Sequence, residues 1–325
     1  MTNWARMGVG AVAAIALSSG YAAAETWDMP VAYADGNFHT ENAKAFAQCV
    51  DTGTGGALDI VVHASGSLFK GNEIKRAVQT GQAPVGERLL SAHENENPLF
   101  GIDSIPFLAT SYEDSEKLWK AARPTLEKVL DEQNLVLLYS VPWPPQGIYT
   151  KNPVNSAKDM EGVKFRSYNS ATARMAELLG AVPVQVEAAE LSQALATGVA
   201  ESFISSGSTG YDRKVWEQLN YWYEVNAWLP RNYVFANKDA WEALGEPTRN
   251  VVTACADFAG HAGTVDSQRL NDWYKAELQA NGMTVEPASD QLRSDLEAIG
   301  KTMTEEWFEA AGDEGRAVVD AYENQ

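Results

Sequence analysis

Cysteine is nearly absent. The 325-residue chain has two, Cys49 and Cys255, so neither a Cys/His metal framework nor a redox CxxC pair can be assembled. Both fall in helix-patterned stretches far apart in sequence. That gives no geometric support for a bridge, which needs Cα atoms within about 7 Å. Two buried thiols are expected, although an exported chain permits a disulfide. Histidine is as sparse: His39, His63, His93 and His261 stand singly, and each reads as a surface or core residue. No HExxH, GxSxG, Walker or dinucleotide fingerprint occurs. Neither a metal nor a cofactor is expected.

Positive charge is also short. Lys and Arg number 25 against 44 Asp and Glu, a formal net charge of −19. Nucleic acid and anionic membrane surfaces are therefore excluded as partners, since both need basic patches. An attraction for cationic ligands over any distance is weak, because such fields are screened within about 10 Å at ordinary salt.

Long apolar runs are missing beyond the first two dozen residues. There, Arg6, the short apolar stretch Val9 to Leu17 and the small residues Ala22-Ala23-Ala24 have the three-part form of a secretory signal peptide. Cleavage after Ala24 is expected, with a soluble periplasmic chain starting at Glu25. The apolar run is too short to span a bilayer comfortably as a signal anchor.

What remains is ample for two domains. Hydrophobic residues make up 45%, enough for a substantial core and too many for disorder. The richest stretch is 158–206. Gly162 to Arg166 reads as a strand, Ala171 to Leu179 as an amphipathic helix closed by Gly180, and Val182 to Val186 as a strand. Ala188 to Thr197 reads as a helix stopped by Gly198, and Ala200 to Ile204 as a strand followed by Ser205. This β-α-β-α-β order predicts an open α/β layer, which binds ligands at the carboxyl ends of its strands. Arg166 and Ser205 stand at such ends.

The N-terminal half reads as alternating strands and helices. Thr26 to Ala34 is a strand, and Asp35-Gly36-Asn37 a turn. Thr40 caps a helix to about Val50, and Thr52 to Gly56 is a glycine-rich loop. Those glycines follow a helix, so they do not form a phosphate cradle. Strands follow at Ala57 to Val62 and Ala83 to Glu87, with Glu87 and Arg88 at the end of the latter. A long helix covers Asp114 to Gln133, and Leu135 to Ser140 is an apolar strand. Three prolines between Val141 and Gly147 then force a crossover between two α/β lobes. Tyr221 to Ala236 is extended and can return the chain. The last ninety residues are mostly helical, with a long helix from Pro247 to about Gln279 and others over Ser289 to Ala310 and Glu314 to Tyr322.

Glu161-Gly-Val-Lys-Phe-Arg166, Glu190-Leu-Ser-Gln-Ala-Leu-Ala-Thr-Gly-Val-Ala-Glu201 and the long helix after Pro247 together resemble the extracytoplasmic solute-binding proteins of TRAP transporters. The resemblance covers essentially the whole mature chain. It implies two α/β lobes joined by hinge strands, a long helix crossing both, and a ligand cleft that closes between them. The lobes fall at 25–143 plus 232–271 and 144–231 plus 272–325. It also implies a monomer delivering its ligand to sodium-coupled membrane permease subunits, and no catalysis.

In that family the arginine of the G-x-K-x-R motif holds a ligand carboxylate, and Arg166 occupies its place. A guanidinium meets a carboxylate with two parallel hydrogen bonds that lysine cannot imitate. Sialic-acid-binding members carry a second arginine where this chain has Gln146, and an asparagine where it has Ser205. Their first-lobe glutamate matches Glu87. Tyr33 and Asp35 follow the first strand, where cleft contacts are usual. Trp143, Tyr168, Phe203 and Trp228 read as cleft or core aromatics, and Asn169 beside Tyr168 completes the candidate set. One arginine in place of two implies a small or weakly anionic ligand. An organic acid is the family default. An ammonium held by aromatics and Glu87 is the alternative, with a sensor partner or an exported hydrolase behind both.

Overall fold

The computed structural model describes residues 25–325, and the expected leader peptide lies outside them. The first strands, β1 (Glu25–Pro30) and β2 (Leu58–His63), are parallel and are joined through helix α1 (Phe38–Thr54). Helix α1 begins three residues earlier than the sequence suggests. Asn37, not Thr40, is its N-cap and accepts a hydrogen bond from His39 N at 2.9 Å, while Thr40 is buried within it. Its end is later too: Thr52 to Thr54 are helical, and Gly55 stops the helix in the left-handed conformation with φ 63°.

After α2 (Ile74–Gln79) comes β3 (Val85–Leu89), then α3 (Tyr112–Glu132), started by Ser111, and β4 (Leu135–Pro142). The Pro-rich segment leads into β5 (Gly147–Thr150). The next stretch follows the sequence reading closely, as β6 (Lys164–Ser167), α4 (Ser170–Leu178), β7 (Val182–Gln185), α5 (Leu191–Ala196) and β8 (Ser202–Ser205). Helix α6 (Gly207–Asp212), β9 (Tyr221–Glu224), β10 (Arg231–Asn237), α7 (Lys238–Ala243), α8 (Glu246–Ala280), β11 (Thr284–Pro287) and α9 (Asp290–Glu323) complete the chain.

The strands divide between two bodies. Strand β10 pairs antiparallel with β3 on one side and β4 on the other, and a bridge between Val31 and Glu87 joins β1 to β3. The second body holds a six-stranded sheet in the order β11-β9-β5-β8-β6-β7. Thus β9 and β10, six residues apart, belong to different sheets, and the chain crosses between lobes there as well as at 142–147. This is the two-lobed α/β architecture with strand connections that the sequence implies.

Two helices hold the lobes together. Helix α8 is 35 residues, about 50 Å at 1.5 Å per residue. Its N-terminal half packs Val252, Cys255, Ala256 and Ala259 into the first core, and Leu278 enters a core of the second lobe. Segment α9 is shared in the same way, and it is broken at Gly312 (φ 60°, ψ −147°) into two helices, as the sequence reading has it. Leu292, Leu296 and Met303 pack with the second sheet, whereas Trp307, Val318 and Val319 join the core under α3. Trp307 Nε1 donates to Pro98 O at 2.9 Å and Tyr322 Oη to Leu108 O at 3.0 Å.

The two cysteines are not free thiols. Cys49 on α1 and Cys255 on α8 are joined, with Cα atoms 5.8 Å apart and a sequence separation of 206. Sequence separation hid the proximity: both helices pack on the same face of the first sheet, and α1 lies against α8.

Candidate functional site

Between the lobes lies a small cavity of about 50 Å³, room for a few waters. Tyr33, Arg88, Leu89 and Trp143 line it from the first lobe and the crossover. Gln146, Arg166, Tyr168, Glu187, Ala188, Ser205 and Thr209 line it from the other side. A larger groove of about 560 Å³ runs between α3 and α8. Its buried cation, Arg231, is already bonded to Ser140 Oγ, to Ser115 and to Glu116. The interlobe cavity, by contrast, holds a buried guanidinium with bonding capacity to spare, that of Arg166.

Strand β6 places Arg166. Neighbouring parallel strands β7 and β8 flank it, pairing it with Val184 and Phe203. The side chain is 3% exposed. Its Nε donates to Val186 O at 2.9 Å, and the guanidinium stands 5.1 Å over the Tyr168 ring. These contacts fix the plane of the fork. Neither terminal nitrogen has a hydrogen-bond partner among the described residues. Burial pulls the Arg166 pKa down to about 10, so it remains a cation at neutral pH, with two donors to offer a carboxylate.

A hydrogen-bonded frame surrounds it. Tyr168 Oη donates to Gln146 Oε1 at 3.3 Å and accepts from Trp228 Nε1 at 3.1 Å. Gln146 Nε2 is bound to Pro144 O at 2.8 Å. On the facing wall, Trp143 Nε1 and Tyr33 Oη both donate to Asn232 Oδ1, at 2.8 and 3.1 Å. The Tyr33 and Trp143 rings meet edge to face, 4.8 Å between centroids. Rigid aromatic surface thus faces a polar wall, the usual make-up of a small-molecule site.

The sequence expectation of a single arginine fails here. Arg88 also lines the cavity, and it reaches across the cleft to Glu187, with Nη1 and Nη2 at 3.3 and 3.2 Å from the two carboxylate oxygens. Glu187 follows β7 in the second lobe. The second guanidinium comes from strand β3, not from position 146.

Of the eleven residues singled out from sequence, Arg166, Gln146, Ser205, Trp143, Tyr33 and Tyr168 converge on this cavity. Glu87, Asp35, Asn169, Phe203 and Trp228 do not line it. Glu87 lies inside β3, not at its end, and pairs with Val234 in the ladder. Successive side chains on a strand point to opposite faces. Arg88 therefore faces the cleft, while Glu87 is buried behind it and accepts from Asn232 Nδ2. Burial raises the Glu87 pKa to about 7. Asp35 is an exposed surface residue paired with Lys44 at 2.8 Å. Asn169 caps α4, accepting from Thr172 N at 2.9 Å. Phe203 stacks on Tyr149 with centroids 4.4 Å apart, in the core.

Sequence reasoning missed Arg88 and Glu187 as site residues. A strict period-2 reading from the buried Val85 would have put Arg88 opposite the core face. Glu187 carried no signal, because Val-Glu-Ala-Ala-Glu looks like an ordinary solvated helix start.

Comparison with known proteins shows the family. The profile of the family described as bacterial extracellular solute-binding protein, family 7, matches residues 31–311. A TRAP solute-binding protein of an unidentified marine metagenome microbe, specific for pyroglutamate and crystallised with it, is 57% identical. The likeness covers 93% of this chain and 99% of that one, with a TM-score of 0.92. A Bordetella pertussis extracytoplasmic solute receptor binding pyroglutamic acid is 46% identical over 92% of this chain and 100% of its own, with a TM-score of 0.91. The ectoine/5-hydroxyectoine-binding periplasmic protein of Ruegeria pomeroyi is 24% identical over 320 residues, 96% of this chain and 94% of that protein. The family match spans most of the sequence: the chain belongs to family 7 of the bacterial extracellular solute-binding proteins, and it is a solute receptor of the TRAP type.

Proposed function

We propose that this receptor captures pyroglutamate, a small cyclic monocarboxylate, in the interlobe cleft and delivers it to the membrane permease subunits of a sodium-coupled TRAP importer. The observation that carries the reading is the Arg166 fork: buried, fixed by Val186 and Tyr168, and with both terminal nitrogens available. Relatives at 57% and 46% identity that bind pyroglutamate support this choice over other organic acids. The ligand carboxylate lies on Arg166. Gln146, Ser205 and Thr209 supply polar atoms for the lactam N–H and C=O, and Tyr33 and Trp143 cover the ring. An amine ligand is disfavoured, because two guanidiniums line the cavity.

The cavity is small for a ring acid, so capture requires the lobes to part and close again. The first lobe comprises 25–143 and 232–271. The second comprises 144–231 and 272–325, although Trp307, Val318 and Val319 of α9 pack into the core under α3. The mature chain starts after Ala24, works in the periplasm as a monomer, and acts by binding alone.

Titration calorimetry with L-pyroglutamate tests the reading. The wild type should bind it tightly, and Arg166→Ala should weaken binding by at least a hundredfold. Losing one partner of a buried charge pair costs about 2–5 kcal/mol. An Arg166→Ala variant that keeps its circular-dichroism spectrum and its affinity would remove Arg166 as the carboxylate clamp. No heat with pyroglutamate, but binding of another acid in a thermal-shift screen, would replace the ligand and keep the receptor.

A further inference from the structure

The charged groups of the cavity make an uneven set. Arg88 and Arg166 contribute two guanidiniums and Glu187 one carboxylate. Glu187 does not touch Arg166 among the described contacts; it takes both of its hydrogen bonds from Arg88. The charge of Glu187 still favours the Arg166 cation and that of Arg213 opposes it, while Asp212 in turn favours the Arg213 cation. Glu87 stands behind the wall on Asn232 and faces away from the cavity. With Arg88 occupied, one positive charge remains for the ligand, and it is on Arg166.

The pair also depends on closure. Arg88 belongs to β3 of the first sheet, and Glu187 to the segment after β7 of the second. It can form only when the lobes meet. The chain keeps room for it at Gly71, where a Cβ would lie 2.7 Å from both Arg88 Nη1 and Glu187 Oε2. The side chains are 5% and 25% exposed, so the pair is largely out of water, where an unmatched charge is expensive.

We propose that Glu187 is the residue that sets the charge of the ligand: by neutralising Arg88 as the lobes close, it leaves a cavity that accepts a monocarboxylate and rejects a dicarboxylate. This inference rests on the receptor reading above. A second carboxylate would enter a cavity whose second guanidinium is already taken. It would meet the like charge of Glu187 and would have to give up its hydration without a partner. The charge therefore comes from the protein, whereas shape alone would merely limit size. A simple closing latch would hold any ligand more tightly and would not discriminate by charge.

The experiment measures the affinities of L-pyroglutamate and succinate by calorimetry for the wild type, Glu187→Gln and the double variant Arg88→Met/Glu187→Gln. The wild type should prefer pyroglutamate by at least a hundredfold. Glu187→Gln frees Arg88 and should shrink that preference at least tenfold, mainly by admitting succinate. The double variant has neither charge and should return towards the wild-type ratio. A ratio in Glu187→Gln within twofold of wild type overturns the proposal, leaving Glu187 as a latch. Should Glu187→Gln not fold, the double variant decides alone: a preference for succinate there overturns the charge assignment. Failure of the ligand reading looks different. A wild type that ignores pyroglutamate but takes another monocarboxylate, with lactate as the probe, changes the ligand and keeps the charge rule. A wild type that prefers succinate overturns the charge rule itself.

Discussion

Asn169 Nδ2 donates to Ser91 Oγ across the cleft at 3.0 Å. The same asparagine caps α4 through its Oδ1, so the residue that starts a second-lobe helix also ties that helix to the first lobe. Asn37 does the converse: it caps α1 and donates to Asp212 of α6 at 2.6 Å. Helix starts on either side of the cleft thus double as contacts of the closed form.

The two roles of Asn169 separate by mutation. Ser91→Ala removes the shorter of the two cross-cleft bonds of Asn169 Nδ2 and leaves the cap and the longer bond to Ser104 Oγ at 3.5 Å. Ligand-free melting should then change little, while pyroglutamate dissociation speeds several-fold, since a neutral hydrogen bond is worth about 1 kcal/mol. Asn169→Ala should do both, adding the roughly 1 kcal/mol cost of a lost N-cap. Stopped-flow dissociation and thermal melts read the two effects independently. A Ser91→Ala variant with unchanged dissociation would make the bond incidental to closure.

The Cys49–Cys255 bridge closes a loop of 206 residues. Such a long loop confines the unfolded chain strongly, and removing a native disulfide typically costs 2–5 kcal/mol. The bridge lies in the first core, between α1 and α8, and neither cysteine lines the cavity. Reduction, or a Cys49→Ser/Cys255→Ser variant, should therefore lower the melting temperature clearly and leave ligand affinity within about twofold. Loss of affinity at temperatures where the fold persists would show that the α1–α8 tie also shapes the cleft.

Glu87 predicts a pH dependence of stability. Burial raises its pKa from 4.5 to about 7, with the Asn232 amide opposing weakly. Between those values the folded chain holds a proton that the unfolded chain has released. Stability therefore falls as pH rises through that window, and the effect is complete above about pH 7. At about 1.4 kcal/mol per pKa unit, the penalty is on the order of 3 kcal/mol. Burial lowers the pKa of His39 and His93, which acts in the opposite direction below about pH 6.5. Comparing the parent with Glu87→Gln isolates the carboxyl, and the glutamine can still accept from Asn232. The stability advantage of Glu87→Gln should grow from pH 5 to pH 7 and then level off. A constant difference across that range would mean that Glu87 is already ionised in the fold at pH 5.

Glu87 also shows where the sequence was legible and where it was not. The β-α-β-α-β run from Gly162 to Ser205 declared itself because glycines at 180 and 198 stop its helices, both at positive φ, and because its apolar spacing is local. Arg166 at a strand end followed from that. The first lobe hid more. Its cleft face on β3 is decided by which of two adjacent charged residues, Glu87 or Arg88, looks inward. A one-residue offset in strand phase exchanges them. Glu187 and the disulfide depend on contacts between segments 99 and 206 residues apart, and no local pattern records these.

Gly71 offers a test of the cleft pair that leaves both charges in place. The tips of Arg88 and Glu187 lie where its Cβ would be, and Ala32 Cβ is 3.3 Å away. Both tips are ends of flexible side chains and can withdraw at little cost to the fold. Gly71→Ala should therefore melt within a few degrees of the parent in the absence of ligand. In binding it should behave as a partial Glu187→Gln, with weaker pyroglutamate affinity and a smaller preference over succinate, because Arg88 and Glu187 can no longer meet squarely. Calorimetry with both acids, alongside ligand-free melting, gives the answer. Weaker binding of the two acids in equal proportion would point to a general obstruction of closure. A large fall in melting temperature would mean that Gly71 serves the packing against Ala32 more than the pair.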